Sequence, residues 1–201
     1  MKPYQNFKAR KRGAREKLPA GGYICRIGDA REETYMDGNR KLVITLDIAD
    51  GPYAGFFRKD YEDNDREDRK WRGNLRLRVP DGEDSPANDR AKRQFENFAW
   101  SVQQSNPGYI WNWQEESLRG KLLGVIWREC EWVFDGGRRI HGTEACETAS
   151  VQDIREGNYR VPDPRIPKKT KEEKAAESAA SAYGPAGLTE EDGDNGDLPF
   201  D

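Results

Sequence analysis

The sequence predicts a mainly β domain: a small closed barrel of five strands, one helix between the third and fourth strands, and charged extensions at both ends. Three observations carry this. In residues 40–50, RKLVITLDIAD, Leu42, Ile44, Leu46 and Ile48 alternate with Lys41, Val43, Thr45 and Asp47. Alternation of this kind turns one row of side chains into a core and the other outward. A single run, residues 86–104, carries Ala91, Phe95, Phe98, Ala99 and Val102 at helical spacing, one apolar stripe. Finally, 34% of the 201 residues are hydrophobic and 35% are charged. That is too polar for one packed globule and fits a core domain of roughly 100–150 residues with polar extensions.

Along the chain, residues 1–17 are basic and lack apolar periodicity, with Lys2, Lys8, Arg10, Lys11, Arg12, Arg15 and Lys17. They read as a flexible arm, either a solvated tail or a grip on phosphates through counterion release. The domain spans residues 18–161. Its first strand, residues 22–34, turns through Asp37-Gly38, a pair that accepts positive φ at both central hairpin positions. The second strand follows and breaks at Gly51-Pro52. Residues 54–61, AGFFRKDY, then read as a third strand with interleaved aromatics and cations. Residues 62–70 are an exposed mixed-charge loop, and residues 71–79, WRGNLRLRV, extend the third strand.

Asp84 or Ser85 caps the helix, with Pro86 at its first position, where a missing N–H costs nothing. Ser105-Asn106-Pro107-Gly108 ends it, and a connector carries Trp111 and Trp113 against the barrel's rim. Residues 122–134 and 140–150 are the last two strands, around the turn Asp135-Gly136-Gly137, and residues 151–161 close the domain. Residues 162–187 are a linker without the apolar content to fold, and residues 188–201 are an acidic tip.

Three strands, a helix and two strands is the order of the OB-fold. This Greek-key barrel binds oligonucleotides on its second and third strands and in its first and last hairpin loops. The same elements are compatible with a β-sandwich or an open α+β sheet.

Aromatic rings among cations are the chemistry of single-strand binding, in which bases stack on rings while Lys and Arg follow the backbone. The candidates are Arg40, Lys41, Phe56, Phe57, Arg58, Lys59, Tyr61, Trp71, Arg72 and Arg76, with Arg138 and Arg139 in the last hairpin. Against this stands the preference of large aromatics for the interior, which places Phe56, Phe57, Trp127 and Phe134 in the core. Trp71, between Lys70 and Arg72, is expected to be exposed.

Cys130, His141 and Cys146 lack the paired spacing of a zinc site. His141 is read as a strand residue and the cysteines as small core fillers. The acidic run Asp60, Glu62, Asp63 and Asp65 suggests a metal-dependent nuclease only weakly, because Arg and Lys are interspersed with it. No P-loop or nucleophile-elbow pattern is present. The expectation is therefore a binding protein, not an enzyme, with no cofactor and no metal. Three widely spaced cysteines, no transmembrane-length apolar run and no signal-peptide core point to the cytoplasm, and to that of the host cell if the protein is phage-encoded.

The acidic, glycine-spaced end, EEDGDNGDLPFD, resembles the C-terminal tip of bacterial and phage single-stranded DNA-binding proteins. In that family the tip recruits replication and repair enzymes, which implies a partner-binding role for Asp197, Leu198, Pro199 and Phe200. Asp201 departs from the pattern, since the family ends on the Phe. Residues 18–23 (LPAGGY), 46–51 (LDIADG) and 118–121 (LRGK) resemble a group of small phage proteins of the replication and recombination region. The reading is single-stranded DNA binding in phage replication or recombination, with recruitment through the tip. The alternatives are an adaptor with weak DNA contact, or a metal-dependent nuclease.

Overall fold

The computed structural model describes residues 16–36, 38–82, 84–134 and 137–167. Most of the expected basic arm, the turn residues Asp37, Asp135 and Gly136, and the acidic tip with Asp197, Leu198, Pro199 and Phe200 lie outside the described residues.

Two long strands form the first hairpin, β1 (Gly21–Thr34) and β2 (Arg40–Ile48). The alternating row of β2 is buried as its pattern predicts: Leu42, Ile44, Leu46 and Ile48 are all in the core. Helix α1 (Phe56–Glu62) and strand β3 (Asn74–Arg78) come next, followed by helix α2 (Pro86–Ser105). Strands β4 (Leu122–Val133) and β5 (Arg139–Ala149) form the second long hairpin, and helix α3 (Val151–Glu156) ends the series. The strands make one antiparallel sheet in the order β3-β2-β1-β4-β5.

The expected closed barrel does not form. Strands β3 and β5 are the two edges of the sheet; they approach each other but share no ladder. Two features keep them apart. Strand β3 has only five residues. In addition, the seam is packed with side chains: Leu18 and Phe57 are buried in the core cluster there, and the Thr143 hydroxyl donates to the Leu18 carbonyl at 3.0 Å.

The expected third strand over residues 54–61 is likewise corrected, because residues 56–62 are helical. A short aromatic and charged run such as FFRKDYE does not distinguish strand from helix by period; the local anchors decide. Gly51 and Gly55 turn the chain with φ of 84° and 73°, and the Phe57 N–H donates to Asp47 Oδ1 at 3.1 Å. Phe57 then drops into the core and stacks on Trp127, ring centroids 5.8 Å apart. The third strand begins only at Asn74, within the segment expected to extend it.

Helix α2 closes the open end of the curved sheet, as its stripe predicts. Ser85 Oγ caps it by accepting from Asn88 N at 3.2 Å, and Ala91, Phe95, Phe98 and Val102 are buried. Asn106 then ties its end to β4, accepting from Leu122 N at 3.0 Å and donating to the Leu122 carbonyl at 2.8 Å. In the connector, Trp111 is buried against Phe98, whereas Trp113 is 71% exposed and lies parallel to Phe95. Phe134, expected in the core, is instead 49% exposed at the end of the second hairpin, where among the described residues no helix or further strand covers it. Past α3 the chain returns to β4: Glu131 N donates to the Arg165 carbonyl at 3.0 Å, and Arg165 N to that of Glu129 at 2.9 Å. Among the described residues, no helix is long and apolar enough to cross a membrane.

The approach to β3 leaves no room at Gly73. A Cβ there would meet the Leu46 carbonyl and the Phe57 ring at van der Waals-forbidden distances. Gly73→Ala is expected to cost about 1–3 kcal/mol through overpacking, measured by urea denaturation. A loss under about 0.5 kcal/mol, the range of neutral surface changes, would mean that the contact between β3 and α1 is looser than described.

Candidate nucleic-acid interface

Two surfaces hold the cations and rings singled out by the sequence. The first is the outward face of β1, β2 and β3. The register places Arg31, Val43 and Arg76 side by side across the three strands, with Glu33, Lys41 and Arg78 in a neighbouring row. Most of its charge is compensated. Arg31 pairs with Glu33 at 2.7 Å, Arg40 with Glu32 at 3.1 Å and Arg78 with Asp81 at 2.8 Å. Lys41 Nζ lies 4.1 Å from the centre of the Tyr35 ring. The outward row of β2 itself holds no ring, and Val43 within it is buried.

The second surface is the seam between β3 and β5, a cleft of about 690 Å³. One wall is α1 with the chain leading into β3: Phe56, Phe57, Trp71, Arg72, Asn74 and Arg76. The other is the second hairpin, through Trp132, Ile140 and the residues up to Ala145, and Glu16, Lys17 and Leu18 run between them. Trp71 is half-buried and packs on the core, not fully exposed as expected. Its indole N–H donates to the carbonyls of Leu46 (3.0 Å) and Gly73 (3.2 Å), which fixes the ring plane. A glycine positions Trp132 on the facing wall: its indole lies across β5 at Gly142, where a Cβ would come within 2.9 Å of it.

The predicted residues divide among these places. Phe56, Trp71, Arg72 and Arg76 line the seam, and the Tyr61 ring is 5.9 Å from that of Trp71 with the Arg69 guanidinium over it. Arg58 and Lys59 are exposed on α1 and engaged, with Asp47 (3.6 Å) and Glu16 (3.8 Å). Arg72 grips Asp60 through both carboxylate oxygens, with Nε to Oδ2 at 2.7 Å. Arg40 and Lys41 are at the end of the first hairpin. At the end of the second, Arg138 lies 5.5 Å from the centre of the Phe134 ring, and Arg139 donates to Glu131 at 2.8 Å. Lys17 is the last residue of the basic arm read as a grip on phosphates, and it lines the seam; sequence reasoning missed Trp132 and Ile140. For Trp132 a signal existed: it is five residues from the core ring Trp127, and an odd separation on a strand puts the two on opposite faces.

The cysteines and His141 are strand residues. Burial pushes the thiols of Cys130 and Cys146 up to about 11, so both are neutral at pH 7. Among the described residues, no group of three or more His, Cys, Asp or Glu side chains is arranged to hold a metal ion. No protein-family model matches the chain, and no curated protein matches it.

Glu144, on the wall of the seam, accepts from Arg128 at 2.8 Å and from Arg165 at 2.7 Å, fastening the segment past α3 to the second hairpin. Burial alone would push its carboxyl up, but the hydrogen bonds from Arg165 and Arg128 outweigh it and hold the group below the usual carboxylate range. Because the folded value is lowered, the stabilisation is full above the unfolded value of about 4.3 and fades as pH falls through the folded one. Glu144→Gln is therefore expected to be less stable than the parent at pH 7, with a gap that narrows towards pH 3 in urea titrations. A gap independent of pH would show that the ionised carboxylate is not what fastens the segment.

Proposed function

We propose that this chain binds single-stranded DNA in phage replication or recombination and catalyses no step itself. The observation that carries the reading is the seam, in which Phe56, Trp71 and Trp132 stand among Lys17, Arg72 and Arg76. Stacking is worth about 1–3 kcal/mol per base and is indifferent to sequence, and cations at the rim follow the phosphates. The strand order supports the reading. With α2 between β3 and β4, the order β3-β2-β1-β4-β5 is compatible with an OB-fold left open between its third and fifth strands, and oligonucleotide binding recurs on that fold. Fold alone does not set function, so the weight falls on the rings and cations. The acidic tip adds recruitment of replication or repair proteins, with the Phe200 ring filling an apolar pocket and the Asp197 carboxylate meeting a basic rim on the partner.

A second reading, an adaptor that chiefly holds another protein, has one observation in its favour. Ile110 and Trp113 are exposed on the connector after α2, 78% and 71% respectively.

Titrating a fluorescent oligothymidylate with the full chain at several salt concentrations separates the two. A single-strand binder loses affinity steeply, with a log–log slope of about −0.7 per phosphate contacted. An adaptor binds little at any salt concentration, and that result would sink the DNA reading. For the tip, a pull-down of replication proteins is expected to lose its catch with Phe200→Ala. Equal recovery by the two chains would leave residues 188–201 as an ordinary solubilising end.

A further inference from the structure

We propose that the single strand runs along the seam between β3 and β5, with a base drawn into the cleft, and not across the outward face of β1, β2 and β3. This rests on the single-strand reading above and specifies its path.

Charge separates the two surfaces. On the outward face, Arg31, Arg40 and Arg78 are engaged by carboxylates and Lys41 lies over a ring. In the seam the carboxylates are the ones neutralised: Glu16 by Lys59, Glu144 by Arg128 and Arg165, and the neighbouring Asp60 by Arg72. Lys17 and Arg76 remain. Both are exposed, and among the described residues neither side chain has a hydrogen bond or ion pair. A polyanion therefore meets Lys17 together with Arg76 at the rim of the seam. Arg76 also borders the outward face, where Arg31, Arg40 and Arg78 are paired with carboxylates and Lys41 lies over the Tyr35 ring.

Backbone geometry points the same way. The Val79 N–H bonds to the Arg40 carbonyl and the Leu46 N–H to that of Gly73. With the antiparallel register, this turns the backbone bonds of Leu75 and Leu77 towards β2 and those of Arg76 into the seam. On the facing edge, the Phe134 N–H bonds to the Arg138 carbonyl, so His141 and Thr143 turn their backbone groups away from β4 and into the same space. Two strand edges thus present N–H donors to one cleft, suited to phosphate oxygens or base edges. The rings supply the rest: Phe56 and Trp71 on one wall, Trp132 on the other. At about 690 Å³ the cleft falls within the roughly 300–1,000 Å³ of small-ligand sites, enough for a nucleotide.

Four variants of the full chain, titrated with fluorescent oligothymidylate, test the path. Trp132→Ala and Lys17→Gln report on the seam, and Arg31→Ala and Lys41→Ala on the outward face. Arg76 borders both surfaces and discriminates neither. The seam path predicts that Trp132→Ala weakens binding about tenfold or more, the loss of one stacked base. Lys17→Gln is exposed and does not threaten the fold; it is expected to lower the log–log salt slope by about 0.7. The outward-face variants should stay within about twofold of the parent, since Arg31 is already engaged by Glu33 and Lys41 lies over the Tyr35 ring, both away from the rings of the cleft. Thermal melts of all four accompany the titrations, and Lys17→Gln keeps the test decisive if Trp132→Ala unfolds. Losses confined to Arg31→Ala and Lys41→Ala, or equal losses on both faces, would overturn the seam path while leaving single-strand binding in place. Absence of binding by the parent chain at low salt would instead remove the underlying reading, and the path with it.

Discussion

Strand β1 pairs with β4 over residues 21–26 and with β2 over residues 25–34, and a bend at Gly28 lets one strand do both. The register with β2 shifts between Ile27 and Asp29, leaving Gly28 outside the ladder. Such a bulge sharpens the local bend and twist of a strand. Both halves of the sheet then face one core. Leu42, Ile44 and Leu46 of β2 meet Leu123, Val125 and Trp127 of β4, and Phe98 of α2 closes the space between them. The same bend brings the far edges β3 and β5 towards each other. With β3 only five residues long, they meet as two walls and not as a ladder. The seam is therefore a consequence of how the core is wrapped.

Legibility from sequence followed how far each signal depends on local pattern. The β2 row was readable because Leu42, Ile44, Leu46 and Ile48 face the core while Lys41, Thr45 and Asp47 of the other row are only half-buried. A period of two therefore survives in the residues, with the buried Val43 as its exception. The stripe of α2 and its Ser85-Pro86 start were readable for the same reason. Helix α1 was not: Phe56, Phe57 and Tyr61 suit either state, and the choice falls to Asp47, nine residues before the helix. Trp71 looked solvent-facing because its sequence neighbours are charged, yet its indole N–H is held by the distant Leu46 carbonyl. Phe134 looked like core because it ends an apolar strand, but β4 extends beyond β1, whose pairing with it stops at Trp127. The seam itself draws on residues near positions 17, 56, 71 and 140, which only the folded topology brings together.

Charge is the other quantity that sequence could not apportion. The chain has 34 Lys and Arg against 37 Asp and Glu, a nearly balanced composition that says little about any one surface. Folding decides which cations are spent. Exposed ion pairs such as Arg31–Glu33 add about 0–1 kcal/mol to stability, yet each removes a positive charge from the field a polyanion meets. In the seam, Lys17 and Arg76 stand without an ion pair among the described residues, beside the rings of Phe56, Trp71 and Trp132, and rings among cations are what single-strand binding uses.

The most direct test of this account is a photo-cross-link from an oligonucleotide carrying 5-iododeoxyuridine, with the adducts mapped by mass spectrometry. The account predicts adducts on the rings of the seam, Trp132, Phe56 or Trp71, that disappear with excess unlabelled single strand. Adducts confined to Tyr35 and other residues around the first hairpin, or none at saturating oligonucleotide, would contradict it.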